Sequence, residues 1–187
     1  YNYPLTNPAA EELYGINSSG VMKLVNPVAD HQTQMRTALL PHFVQTIKNN
    51  QKITFEFRVF ELGRIYYKVN DGKTTEPHKL IVGLSTEKTQ LGDAFFQLKS
   101  HVFNLLIRLQ IPDIRWEPLG EQRSKYQHQH IAAAIYSNDH LLGTIFSFSP
   151  EYMDKLGLKE DVCLAELDFD KMFVLEKLDY VYKEPPK

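Results

Sequence analysis

The stretch NPVADHQTQMRTALLPHFVQTIKNN, Asn26 to Asn50, carries two apolar, helix-like pieces with a proline between them. Asp30 is placed to cap a short first helix bearing Met35, Leu39 and Leu40. Pro41 lacks a backbone N–H and clashes with the carbonyl four residues back, so a helix must kink or restart there. Proline is well tolerated at the first position of a new helix. Phe43, Val44 and Ile47 then continue the apolar stripe to Asn49-Asn50. The reading is a restarted helix pair with one shared apolar face.

Outward from that stretch, the N-terminal side offers Val21–Val25 as a short strand that ends at Asn26-Pro27. On the C-terminal side, Ile53, Phe55, Phe57 and Val59 alternate with polar residues, which predicts a strand over Ile53–Val69. Gly63 interrupts it and predicts a bulge or a close backbone approach. Asn70-Asp71-Gly72 is a turn signal, and His78–Ser85 reads as the returning strand. Asp93 is placed to cap a helix with Phe95, Leu98, Val102, Leu105, Leu106 and Leu109 on one side, ended by Pro112. Further strands are expected at Arg115–Leu119, His130–Tyr136, Leu141–Phe148 and Val162–Phe169. Ser137-Asn138-Asp139 forms a tight turn, and Ser149-Pro150 starts a short helix that Gly157 closes. Hairpins mixed with a few substantial helices predict an α+β domain with an antiparallel or mixed sheet.

Composition bounds the function. The chain has 187 residues, 43% hydrophobic and 24% charged, which is the globular norm and enough to bury a core. The formal net charge of -2 gives no global attraction to nucleic acid or to an anionic membrane. One cysteine, Cys163, excludes an internal disulfide framework and fits a reducing, cytoplasmic setting. No apolar run is long enough to span a bilayer, so no membrane partner is expected. The chain starts at Tyr1 without an initiator Met and stops at KEPPK, as a domain cut from a longer polypeptide would. The expected division is one domain over 1–187, with a lead-in segment at 1–20, a core at 21–172 and an exit segment at 173–187.

The residue types that carry chemistry are sparse. His128 and His130 share a strand face, as a metal pair would, but no cysteine completes a set and Lys125, Gln127 and Gln129 indicate a solvated strand start. Cys163 sits on an apolar strand, as a buried inert thiol does. Glu166, Asp168 and Asp170 could hold a divalent cation, yet that spacing also suits the wet face of an edge strand running into a helix cap, which is the favoured reading. No phosphate-binding loop, nucleophile elbow or zinc-protease motif is present. No metal or catalytic residue is expected.

Several segments taken in order nevertheless resemble one family, the beta subunit of bacterial phenylalanyl-tRNA synthetase. Asn26, Pro27, Arg36, Thr37, Leu39, Leu40 and Pro41 are similar to that family's Asn-Pro, Arg-Ser/Thr, Leu-Leu-Pro pattern. Phe60, Glu61, Gly63 and Arg64 resemble its Phe-Glu-Ile-Gly strand, and Phe96, Lys99, Leu105 and Leu106 its next helix. Gly143, Pro150 and Leu156 resemble its Gly-x-Ile-Gly-x-x-x-Pro segment, with Phe146 where a second Gly is usual and Ser149 where His is common. Glu166, Leu167 and Asp168 resemble its Glu-Leu-Asp ending.

The resemblance implies a class II aminoacyl-tRNA synthetase-like fold, an antiparallel sheet flanked by helices. It implies a non-catalytic assembly domain that pairs with the catalytic alpha subunit in a holoenzyme of two alpha and two beta chains. ATP and magnesium are then expected for the holoenzyme, with no cofactor bound by this domain, and the tRNA for phenylalanine is an expected partner through the holoenzyme. Met35, Arg36, Leu39, Leu40, Pro41 and Phe43 become the expected subunit interface. Met35, Leu39 and Phe43 form the outward face and Leu40, Val44 and Ile47 the inward one, or the reverse, and an exposed patch there would also support a self-dimer. Asn26, Pro27, Glu61, Gly63, Gly143, Pro150, Glu166 and Asp168 are expected to be structural motif residues. Class II sites hold ATP with an arginine followed one residue later by an acid, and with a further arginine from a third motif. Here Phe60 takes the acid's place after Arg58, Glu61 should face the other way, and Gly143–Gly157 contains no arginine. Arg58 and Arg64 then read as surface residues pairing with Glu56 or Glu61. The competing readings are an adenylate-forming ligase with a divergent ATP site and a generic ligand-binding α+β module.

Overall fold

A computed structural model describes residues 2–16, 20–27, 29, 32–69, 72–87 and 92–175. In chain order the elements are β1 (Leu5–Thr6), α1 (Pro8–Glu12), β2 (Gln34–Met35), α2 (Leu40–Asn50), β3 (Phe57–Arg64), β4 (Tyr67–Lys68), β5 (Thr74–Thr75) and β6 (His78–Thr86). They continue with α3 (Asp93–Arg108), β7 (Ile114–Pro118), β8 (Gln127–Ser137), β9 (His140–Phe148), α4 (Pro150–Leu156), β10 (Asp161–Asp168) and α5 (Phe169–Val174).

A six-stranded sheet in the order β3-β6-β10-β9-β8-β7 organises the chain. Every pairing in it is antiparallel. The β3–β6 pair is one half and the β7-β8-β9 meander the other. β10 comes last in the sheet and inserts between them, with Leu164 opposite both Gly83 and Phe146. The α+β antiparallel architecture expected from the hairpin pattern is the one found.

Two hydrophobic clusters cover the two faces. On one face α3 and α5 lie over aliphatic side chains: Leu98, Val102, Leu106 and Met172 meet Leu84, Ile145, Cys163 and Ala165. On the other, α2, α4 and the lead-in segment enclose a more aromatic cluster of Tyr14, Phe43, Tyr126, Phe146, Phe148 and Tyr152. Gly83 makes room for α2: Phe43 Cε1 lies 2.8 Å from where a Cβ would stand. Gly143 faces a similar demand, since a Cβ there would strike the Glu166 backbone carbonyl.

Local signals were accurate where the chain's own chemistry fixes the backbone. Ser149 caps α4 from its side chain with Pro150 in the first turn, and Gly157 ends it at φ 64°. Asn138 takes the left-handed turn position at φ 49° between β8 and β9. α3 matches its apolar stripe, although Gly92 and not Asp93 is its cap residue. Pro41 does stand in the first turn of α2, so the helix begins there.

The expected helix before Pro41 does not exist. Gln34 and Met35 are a strand that pairs with Thr6 and Leu5, and Lys23 bridges to Gln34. The backbone of Arg36 is likewise held in extended company: its N–H donates to Pro4 O at 2.8 Å and its carbonyl accepts from Tyr66 N at 2.9 Å. Non-local pairing overrides a weak local helical spacing. Asp30, the expected cap, lies outside the described residues. The expected strand at Val21–Val25 is reduced to the Lys23 bridge. Ile53 and Phe55 are not in the sheet either; they sit exposed in the turn between α2 and β3.

Candidate functional site

Three places hold the residues singled out in the sequence. The first is the Arg36–Glu61 junction. Arg36 Nη1 sits 2.7 Å from Glu61 Oε1 with both side chains almost fully buried. Arg36 Nε donates to Arg64 O at 2.9 Å, and Asn2 Nδ2 donates to Glu61 Oε2 at 2.6 Å. Gly63 lies directly over this pair, and a Cβ there would overlap the guanidinium. The close approach expected at Gly63 is thus the Arg36 side chain, and β3 runs past it without a bulge. Nearby, buried Glu11 accepts from Gln34 Nε2 at 3.0 Å and from Thr37 N at 2.6 Å. His42 stands beside these groups; burial first, then the Arg36 charge, holds its pKa below the usual histidine value.

This junction corrects the expected exposure of the interface set. Leu39 and Phe43 are 2% exposed, and Arg36, Leu40 and Pro41 are buried as well. The inward set Leu40, Val44 and Ile47 is buried as expected, but the set expected to face outward is buried too. The physical reason is that α2 lies between the sheet and the lead-in segment, so both of its apolar sides are internal. Of the six residues, Met35 alone is half-buried. Among the described residues of this segment there is no contiguous exposed apolar patch of the kind that was the ground for a self-dimer. Apolar surface is found instead on the α3 side, at Phe60 and Leu62 of β3 and at Phe96, Phe103 and Ile107 along the outer side of α3.

The second place is β3 itself. Arg58 and Phe60 share one face, Phe60 is 74% exposed, and Glu61 points to the opposite face into the Arg36 junction. Arg58 Nε donates to His101 Nε2 at 3.2 Å, and Arg64 reaches Glu76 at 3.2 Å and His78 at 3.1 Å. The pairing of these arginines with Glu56 or Glu61 is therefore corrected: His101 of α3 holds Arg58, while His78 of β6 and Glu76 just before it hold Arg64. Over Gly143–Gly157 no arginine is available to add a second cation.

The third place is the end of β10. The cluster Glu166, Asp168 and Asp170 is not the wet face of an edge strand, because β10 lies between β6 and β9. The three carboxylates also part company. Asp168 caps α5 by accepting from Lys171 N at 3.2 Å and binds Lys79 Nζ at 2.8 Å. Burial would raise its pKa, but the hydrogen bonds from Lys79 and Lys171 N and their charges bring it below the ordinary value. Asp170 turns away to His78, 3.0 Å from Nδ1. Glu166 is half-buried, and burial pushes its pKa up to about 7 against the pull of Lys79.

The remaining candidates are structural. His128 Nδ1 accepts from His130 N at 3.1 Å and Ile131 N at 3.2 Å, so the ring fastens the irregular start of β8. Burial and the neighbouring His130 lower its pKa, consistent with a neutral acceptor. Cys163 is fully buried, and burial pushes its thiol up to about 12, where little thiolate forms. Among the described residues no group of histidine, cysteine and carboxylates is placed to hold a metal ion. No helix among them is long and apolar enough to cross a membrane. Asn26 and Pro27 follow the Lys23 bridge in an irregular connection.

The internal Arg36–Glu61 pair links the first two motif segments, and their order along the chain matches a known family. A family profile described as the phenylalanyl tRNA synthetase beta chain CLM domain matches residues 1–169. The chain belongs to this family. A phenylalanine–tRNA ligase beta subunit from Dehalococcoides mccartyi is 30% identical over 160 residues, covering 81% of this chain and 19% of that protein. One from Solibacter usitatus is 26% identical over 154 residues, covering 82% and 19%. The chain thus spans about a fifth of the length of these relatives. A pyrrolysyl tRNA synthetase from Desulfitobacterium hafniense superposes with a TM-score of 0.71 at 14% identity, over 92% of this chain and 58% of that one. The fold is the class II synthetase-like antiparallel sheet flanked by helices.

Sequence reasoning missed the Arg36–Glu61 pair and the isolation of Glu166. For the first, Arg36 and Glu61 were both in view as motif residues, and Gly63 beside them signalled a close neighbour. For the second, the signal is a carboxylate within the apolar run Val162–Leu167.

Proposed function

We propose that this chain is a non-catalytic assembly domain of a phenylalanine–tRNA ligase beta subunit, pairing with an alpha subunit that carries the active site. Its holoenzyme charges tRNA with phenylalanine using ATP and magnesium, and this domain binds neither. Family membership supports the first part. The observation that carries the second is the geometry of β3: Phe60 occupies the position where a class II site needs an acid next to Arg58, and the nearby acid, Glu61, is turned through the sheet and locked to Arg36. A triphosphate needs preorganised cations and an acid to orient it during adenylate formation. Arg58 alone, held by His101 at an exposed edge, is not such a clamp.

The motif residues then act on assembly from within. Arg36, Leu39, Leu40, Pro41 and Phe43 set the position of α2 and the lead-in segment, and Met35 contributes what surface this segment presents to a partner. The experiment is co-purification of the chain with a tagged alpha subunit, together with phenylalanine-dependent pyrophosphate exchange by the chain alone. Retention on the alpha subunit without exchange is expected. Exchange above a heat-inactivated control would overturn the non-catalytic reading, and failure to be retained would overturn the assembly reading.

A further inference from the structure

A cavity of about 270 Å³ opens at the end of the sheet, bounded by Thr37–Leu39, β6, β9, β10 and the start of α5. Its walls include the apolar side chains of Leu39, Ile65, Ile81 and Leu141. Glu166 projects into it from the middle strand of the sheet. Glu166 keeps some accessible surface and lines the cavity.

The charges around it are already committed. Lys79 Nζ is 2.8 Å from Asp168 Oδ2, and Lys171 Nζ is 3.8 Å from that oxygen and 3.4 Å from Leu141 O. No hydrogen bond or ion pair reaches the Glu166 carboxylate from the described residues. A half-buried carboxylate against apolar walls and without a protein donor is costly to ionise unless a cation joins it. A leucine would fit β10 without that cost. An apolar enclosure with one unmatched acceptor is the usual build of a small-ligand site, and this volume suits a compact ligand.

We propose that this cavity binds a small primary amine in its ammonium form, with the charged head on Glu166 and an apolar body against Leu39, Ile65 and Ile81. The site is independent of the assembly role and of the β3 geometry that carries it. Burial raises the Glu166 pKa to about 7, so the carboxylate is incompletely ionised at neutral pH. Ammonium binding requires it ionised. Affinity therefore rises as pH increases through this range, until the amine itself loses its proton.

Benzylamine is a suitable probe, with phenylacetate as a control of similar size and opposite charge. Each is titrated into the isotope-labelled 187-residue chain, and amide shifts are followed at pH 6 and pH 8. Benzylamine is expected to shift the amides of Lys79, Gly143 and Glu166 saturably, with a dissociation constant on the order of 1 mM. Binding should tighten several-fold from pH 6 to pH 8, weaken at least about tenfold in Glu166→Gln, and be absent for phenylacetate. The proposal is overturned if benzylamine gives no saturable shift up to about 50 mM, if Glu166→Gln binds it equally well, or if phenylacetate binds better. If Glu166→Gln fails to fold, Leu141→Trp at the cavity mouth carries the test: loss of binding upholds the site and unchanged binding overturns it.

Discussion

On the α2 side of the sheet, several polar groups are buried and matched, Arg36 with Glu61, Glu11 with Gln34 and Thr37, and Gln51 with Ser85, while Thr6 Oγ1, His42 Nδ1 and the Glu166 carboxylate have no such partner among the described residues. On the α3 side the buried contacts are aliphatic, and large apolar side chains remain outside at Phe60, Leu62, Phe96, Phe103 and Ile107. Both sides carry family-motif residues. The difference teaches that a motif rich in apolar residues need not be a surface for a partner. The Arg36–Pro41 stretch does its work inside the chain, where one displaced side chain would disturb both the sheet and the lead-in segment.

The sharpest way to break this comparison is a pair of matched truncations. Phe43→Ala removes a ring packed against Gly83 and should cost about 3–5 kcal/mol. Phe103→Ala, on the outer side of α3, should stay within about 0.5 kcal/mol. Urea unfolding of the two variants measures both. Similar losses at the two positions would erase the distinction between an internal and an open face.

The Arg36–Glu61 pair sharpens the same contrast. Glu61→Gln leaves a buried guanidinium without its counter-charge and should destabilise by roughly 3–4 kcal/mol. Arg36→Met combined with Glu61→Leu should recover much of that, because a buried pair gains little over apolar replacements of similar size. A double variant as unstable as the single one would show that Arg36 is needed for its contact with the Arg64 carbonyl and not chiefly for Glu61.

Glu166 gives a pH dependence. Its folded pKa, about 7, lies above the ordinary value of 4.5, so the folded state holds the proton more tightly than the unfolded chain. This group's contribution to stability therefore falls as pH rises between those values, and the loss is complete above the folded pKa. Glu166→Gln removes that loss, so relative to the native chain it should gain roughly 1–3 kcal/mol at pH 8, with the gain shrinking toward pH 4. Thermal unfolding across pH checks the sign. Arg58→Ala is at the small end: exposed and tied to His101, it should change stability by less than about 0.5 kcal/mol.

The sequence made the six strands of the main sheet and the two clearest helices legible because their signals are local. Alternation marks β3, a capped and stopped helix marks α4, and a single apolar stripe marks α3. What it concealed depends on residues far apart in the chain. Met35, Leu39 and Leu40 have helical spacing, but the partners that make Gln34–Met35 a strand are Leu5 and Thr6. Glu166 and Asp168 alternate as an edge strand would, but β10 is drawn into the centre of the sheet by β6 and β9, and strand order is not written in periodicity. The candidate site divided in the same way. The missing acid beside Arg58 was readable from position alone, whereas the burial of Leu39 and Phe43 required knowing what lies on the far side of α2.

We propose that this class II-like chain does not hold a nucleotide. Titration of ATP with magnesium into the chain, followed by calorimetry, tests it most directly. No saturable heat is expected at concentrations up to about 1 mM. A one-to-one site at micromolar affinity that weakens in Arg58→Ala would contradict the claim.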